Sequence, residues 1–531
     1  MTTMYTGRVR PFWPHVEAQA DAFVVDDDGR VLAVGEPKTL AEQYPDAAPQ
    51  ELEGWVMPGL IEPHGHPGTA AILLSDRVVD IRPVVVPEAE SVLRLLRDAV
   101  AAATGPVYAN GWDALLQRGL PTPDIRFLDE LAGDTPLVIV HNSGHSAYFN
   151  TAAAELSNLT RETPDPPGAS FVRDENGDLA GTALEARAVQ QVLAPFLSKA
   201  QAAIPALLSA HFADLSRRGY TTVSDLSWDR QLTPVVEAMR DSGTLPLRVR
   251  WYEMSQPGGA VSQRGEGDAA IRQIGVKTWS DGSPWIGNIA TSFPYLDTPA
   301  TRDLGLEPGH IGVANYSADE LLAIAEPYAA AGWQLACHAH GDRAIDATLD
   351  VYEDLITRHN LEDHRFRLEH VGAMTQAQFQ RAADLGVTVS VFVDHITYWG
   401  EVLVDDLFGA EHGGAWADAG AAFAAGQRAT FHNDGWVTPN EPFRNMAVAE
   451  TRTTRAGRTM PGGRPVRRAD ALAAHSTNAA WQLFSEHEIG ALAPGLFADF
   501  IVVDRDPLEV SAEALAETQV AATYLGGRRV M

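Results

Sequence analysis

The chain has one cysteine, Cys337, in 531 residues. No intrachain disulfide can form, and a cytoplasmic location is expected of a chain that does without them. Cys337 lies inside an apolar run, where a small buried thiol is expected rather than a nucleophile. Basic residues are scarce as well. Lys and Arg number 40 against 70 Asp and Glu, a formal net charge of −30. Such a surface repels nucleic acid and anionic membranes, so neither is an expected partner. No apolar run reads as long enough to span a bilayer. The first residues lack the basic-then-apolar pattern of a secretion signal, so none is expected. There is no short-period repeat, no low-complexity tract and no block of like charge beyond Asp26-Asp27-Asp28.

What is present is a globular composition, 45% hydrophobic, on a chain too long for a single core. One large domain with a smaller one is expected. Residues 22–35, AFVVDDDGRVLAVG, read as a hairpin around Asp28-Gly29. Near the other end, 496–504 and 520–530 read as short strands, the second turning at Gly526-Gly527. Two β-rich ends around a long α/β middle predict that they meet. Residues 1–57 and 485–531 are expected to form a small β-sandwich domain beside a larger unit at 58–484.

In that middle, strand-like runs occur at 59–64, 221–225, 247–253, 274–279, 333–338, 366–370, 387–392 and 428–434. Helical patterns separate several of them, for example at 203–218 and 341–358. Eight strands alternating with helices is the count of a (β/α)8, TIM-like barrel, whose catalytic groups stand at the strands' carboxyl ends. His64, Lys277, His338, His370 and Asp434 fall there. A ninth run, LVIVH at 137–141, does not fit the count and is assigned to an insertion at about 81–205.

The run from Trp55 to Pro67, WVMPGLIEPHGHP, ends in His64-Gly65-His66. Residues two apart on a strand point the same way, so both imidazoles can converge on one ion. Satisfied polar groups at a strand end are the alternative. With His338, His370 and Asp434, the chain offers four imidazoles and a carboxylate, the donors that a divalent metal such as zinc takes. Iron, manganese, cobalt and nickel tolerate the same donors. Five ligands exceed what one open catalytic metal needs and suit two metals sharing a bridging hydroxide. Lys277 is a candidate bridge, since a neutral amine takes up carbon dioxide to form a carbamate. A salt-bridged or substrate-binding lysine is the other reading.

Several segments, in order along the chain, resemble the amidohydrolase superfamily, in its amidohydrolase family 3 or YtcJ-like branch. They are PGLIEPHGH (58–66), GVKTWSDGS (275–283), CHAHGDRAID (337–346), RLEHV (367–371), FHNDGWVTPNEPF (431–443) and IGALAPGLFADFIVVDRDP (489–507). The resemblance implies a metal-dependent amidohydrolase. His64 and His66 would be first-strand ligands, Lys277 the carboxylated bridge, His338 and His370 the ligands of the fifth and sixth strands. Asp434 would be both ligand and general base. The family's HAxGDRA pattern places the ligand at His338, so His340 is left out. NSGHSAYFN (142–150) resembles a segment that brings a histidine, here His145, over the metals to bind the substrate carbonyl. AGTALEA supplies Glu185, NGWD supplies Trp112, and HITYWGE supplies His395, Tyr398 and Trp399 as pocket residues. The implied reaction is cleavage of an amide, formamide, carbamate or cyclic amide of a small molecule. Tryptophans near these segments point to an apolar or aromatic substrate. Hydrolysis of an ester, lactone or phosphoester, deamination at a single metal, and a metal-free binding protein are the competing readings. The sequence leaves a homo-oligomer open.

Overall fold

The computed structural model describes residues 2–256, 258, 261 and 267–531. Its centre is an eight-stranded parallel sheet: β1 (Leu60–Gly65), β2 (Tyr220–Asp225), β3 (Arg248–Met254), β4 (Ile271–Trp279), β5 (Gln334–Ala339), β6 (Arg367–His370), β7 (Thr388–Val391) and β8 (Thr430–Phe431), neighbours in that order. All eight expected strands are there, with ends shifted by a few residues. They are buried on both faces, which is why they read as apolar runs rather than alternating ones. The two helical patterns are the helices Ile204–Arg217 and Asp342–His359. Cys337 on β5 is fully buried, and burial pushes its thiol up to about 11.

The two end strands, β8 and β1, share no ladder. The sheet is nearly closed by other bonds: His66 N–H to Gly435 O (3.3 Å) and Asn433 N–H to the Glu62 carboxylate (3.3 Å). Register then sets the mouth. His338 on β5 lies opposite Trp279 on β4 and Glu369 on β6, and His370 lies opposite Val391 on β7.

Between β1 and β2 the chain builds a six-stranded sheet of its own, with Leu137–His141 and Ser146–Phe149 at its centre. The ninth run is therefore one of its strands. The return passes through helices at Ala186–Ala200 and Ile204–Arg217, joined by a 3-10 turn at Gln201–Ala203. This 32-residue run, Ala186–Arg217, is long and apolar enough by length and composition to cross a membrane. That corrects the expectation that no run reaches such a length. The sequence divides the run at its middle, and only the structure joins the halves. Val192 and Phe196 pack in the core of the inserted sheet, Leu208 and Phe212 in that of the barrel.

Both chain ends do enter one sheet. Seven strands, four from residues 3–58 and three from 500–529, form a single continuous sheet in place of two stacked ones. A separate sandwich is thus not what the structure holds. The sheet curls on itself. Phe23 and Phe500 stand three strands apart, about 14 Å in a flat sheet, yet their rings are 5.1 Å apart. Tyr5 and Tyr524 complete the aromatic centre of that curl.

One buried ion pair fastens this sheet to the barrel. Arg248 at the start of β3 donates through Nε and Nη2 to Asp499, at 2.6 and 3.0 Å. Asp499 also accepts from Gly526 N–H (2.7 Å), and the guanidinium lies over the Phe497 ring. Removing one member of a buried pair strands the other. Asp499→Ala is expected to cost about 3–5 kcal/mol, read as a lowered urea midpoint for loss of secondary structure.

Candidate metal centre

Each expected ligand stands at the end of a strand. His64 closes β1 and is fully buried, and Asp434 follows β8. Asp434 Oδ1 lies 3.2 Å from His66 Nε2 and 3.5 Å from His64 Nε2. Neither contact is a hydrogen bond. His64 Nε2 and Asp434 Oδ1 are buried with no hydrogen-bond partner among the described residues. Ligand atoms of His64, His66 and Asp434 lie within 4.8 Å of one another, as do those of His338, His340 and His370. Unpaired donor atoms converging on one point are what a divalent cation satisfies, and an imidazole–carboxylate set suits one of the zinc type. The residues fit the metal that the sequence implied.

The other nitrogen of each ring is already engaged, which fixes which atom is free. His64 Nδ1 donates to Glu369 Oε2 at 2.6 Å, leaving Nε2 bare. His66 Nδ1 is bonded to Ser227 Oγ (2.8 Å) and His338 Nε2 donates to Gly282 O (2.8 Å). His370 Nδ1 meets His432 Nε2 at 3.0 Å, and His432 Nδ1 meets Ser390 Oγ at 2.8 Å. Partners of this kind orient ligands and fix their tautomers. Burial holds His64, His338 and His370 well below the usual imidazole range, with neighbouring cationic groups adding to the effect. They are therefore neutral, the form that binds metal.

Lys277 on β4 is 1% exposed. Burial draws its amine down to about 8, against the opposing charges of Glu369 and Asp434. Its Nζ lies 5.7 Å from the centre of the Trp279 ring. His370 (φ 70°) and Asp434 (φ 51°) both have left-handed backbones. Such conformations cost about 1–3 kcal/mol each and persist where surrounding structure enforces them, as at functional sites.

His145 comes from the inserted sheet. Its loop passes over Trp436 at Gly144 (φ +74°), where a Cβ would come within 2.8 Å of the indole. The His145 ring lies 4.7 Å from His338, and Nδ1 bonds Glu185 Oε2 at 2.8 Å. Burial lowers the His145 pKa, but the charge and hydrogen bond of Glu185 outweigh it, and the net shift is upward. Glu185 itself, expected against substrate, is taken up by His145 and by Asn288 Nδ2 (2.6 Å).

The expected pocket aromatics are placed otherwise. Trp112 is packed in the core of the inserted sheet, 6.4 Å from the Phe127 and Tyr148 rings, and not at the histidines. Its neighbour Asp113 makes the link, accepting from Trp399 Nε1 at 2.9 Å. Trp399 is buried and stacked on Trp285 at 4.7 Å. His395 Nδ1 accepts from Trp416 Nε1 at 3.1 Å. Close packing fills this region, so Trp112 and Trp399 support the site rather than face open space. Tyr398 borders a cavity of about 630 Å3 with Arg82, Arg218, Arg444 and Arg455, which no expected metal ligand lines.

The residues missed from sequence are Arg367, Glu369, Asp281 and His432. Arg367 donates to both Glu369 oxygens (2.7 and 2.9 Å), to Tyr252 Oη (2.8 Å) and to Pro63 O (3.1 Å). Three of them had a visible signal. Arg367 and Glu369 are charged residues two apart on a strand that is otherwise apolar, and His432 repeats the spacing of His64 and His66.

This barrel mouth, ringed with imidazoles around a carboxylate, defines a hydrolase of the metal-binding barrel type. Residues 53–531 match the sequence profile of the amidohydrolase family, and the chain belongs to that family. Among its relatives, the N-substituted formamide deformylase of Arthrobacter pascens is 27% identical, over 95% of this chain and 94% of its own. Protein LONG AFTER FAR-RED 3 of Arabidopsis thaliana is 26% identical, over 96% of this chain and 88% of its own. The crystal structure of an uncharacterized metal-dependent hydrolase from Pyrococcus horikoshii OT3 superposes with a TM-score of 0.73. It is 22% identical and covers 97% of this chain and 99% of its own, a likeness of fold.

Glu369 is the partner whose removal tests this geometry. Glu369→Gln is expected to weaken metal binding about 10- to 100-fold, measured by competition with a chromogenic chelator. Unchanged affinity would mean that the Glu369–His64 bond does not set the ligand.

Proposed function

We propose that the protein cleaves the C–N bond of an amide-type substrate: an amide, formamide, carbamate or cyclic amide of a small apolar or aromatic molecule. The observation that carries this reading is the Asp434 carboxylate, turned with a bare oxygen onto His64 and His66 at the barrel mouth. The name of the Arthrobacter relative, a deformylase of N-substituted formamides, supports the choice of bond. In this reading His64, His66 and Asp434 would hold one divalent cation, zinc by default, and His338 and His370 would hold a second. Lys277, as a carbamate, would supply a further carboxylate-type ligand. Burial draws its pKa down to about 8, which favours the neutral amine that takes up carbon dioxide.

Divalent metals, when bound, polarise a carbonyl oxygen and lower the pKa of a water towards 7. The chain's own groups do the rest. Asp434 takes a proton from the attacking water and returns it to the leaving nitrogen. His145, held by Glu185 and shifted towards its protonated form, donates to the oxygen on which charge develops. Trp436, 5.6 Å from His66, and Trp279 beside Lys277 give the site an apolar rim, which favours an apolar substituent on nitrogen.

The test is a matched panel of N-substituted formamides, amides, esters and aminoheterocycles assayed with metal-loaded protein. Highest kcat/KM on the C–N substrates is expected, and preference for the esters or for deamination would overturn the reading. Asp434→Asn is expected to lower kcat about 100- to 10,000-fold. A variant with full metal content and full turnover would remove Asp434 from the proton transfer. Chelator-stripped protein is expected to melt at a lower temperature and to recover on adding zinc, since metal bound only to the folded state stabilises it.

A further inference from the structure

His340 stands two residues after His338, just past the end of β5. It is 4% exposed, and its Nδ1 is buried with no hydrogen-bond partner among the described residues. The backbone beneath it is pinned. The fully buried Asp281 carboxylate accepts from His340 N–H at 2.9 Å and from Gly341 N–H at 2.8 Å. Gly341 packs so closely on Ala290 that a Cβ would come within 2.0 Å of its carbonyl oxygen. The His340 ring lies flat on His370 (4.9 Å, 16°) and, on its other side, on His395 (5.2 Å, 22°). It is 4.9 Å from the His338 ring.

The histidines around it spend one ring nitrogen each on a fixed partner: His338 on Gly282, His370 on His432, His395 on Trp416. The Nδ1 of His340 has no such partner. An unpaired buried nitrogen is unfavourable unless something occupies it. Nitrogens of His338, His340 and His370 lie within 4.8 Å of one another.

We propose that His340 is a metal ligand, which with His338 and His370 forms an all-imidazole site for the second divalent cation. The inference rests on the reading that this barrel mouth binds divalent metal. Imidazole nitrogens are donors that a zinc-type ion takes.

His340→Phe keeps a flat ring between His370 and His395 but has no ligating nitrogen. Wild type and variant are stripped, reloaded with zinc, and compared by elemental analysis and chelator competition. The expected result is loss of one zinc per chain, or a weakening of one zinc by at least about 100-fold, with the metal-free melting temperature unchanged. Equal zinc content and equal competition curves in the two proteins overturn the proposal. If two zincs bind to both, this inference alone fails; if wild type binds none, the metal reading of the whole site fails with it. Should the variant not fold, wild type with 15N-labelled histidine is titrated with zinc. A His340 Nδ1 resonance moving to the range of coordinated nitrogen supports the proposal, and one that stays in place overturns it.

Discussion

The site depends on a buried line of charge running under it, Arg367 to Glu369 to His64. Arg367 and Glu369 are fully buried on β6, paired through two hydrogen bonds, and Glu369 passes the contact on to His64. A carboxylate in such a place is tolerable only because a guanidinium and an imidazole N–H share it. The consequence is directional. With Nδ1 held from below, His64 has one free nitrogen, and it faces the mouth. Arg367 also reaches Pro63 O on β1, so the same group ties β6 to β1 across the interior. Fold closure and ligand orientation thus rest on one set of bonds.

The other candidate ligands repeat the device with different partners: Ser227 for His66, Gly282 O for His338, His432 for His370. Each bond spends one ring nitrogen on the scaffold and turns the other inward. Burial then keeps His64, His338 and His370 unprotonated. The inserted sheet contributes from above, carrying His145 over the mouth on a loop that Gly144 lets pass the Trp436 ring. Glu185, from a later strand of that sheet, sets its charge.

Much of this was legible in the chain. The eight barrel strands were readable because parallel strands buried on both faces are continuous apolar runs, and each reactive residue sits where such a run ends. The pairing of histidines two apart followed from strand geometry. Other readings failed for physical reasons. Trp112 and Trp399 lie in motifs that flank the site, but a large indole in a motif is as useful for packing as for binding. The structure buries both, and Asp113 joins them through Trp399 Nε1. Composition does not distinguish one curled sheet from two stacked ones. Of the run Ala186–Arg217, only the second half was read from the sequence as a helical pattern, at 203–218.

By itself, the sequence determined which candidate donors stand at which strand ends, since side-chain direction along a strand is a local property with a period of two. It also determined that these residues are neutral-capable donors of the type metals take. Only the tertiary structure decided which nitrogen of each ring is free, because that is set by partners 56 to 305 residues away, such as Gly282 for His338 and Glu369 for His64. The same holds for His340. Its spacing from His338 left its role open, and the packing of Asp281, Ala290, His370 and His395 around it turned its ring towards the others.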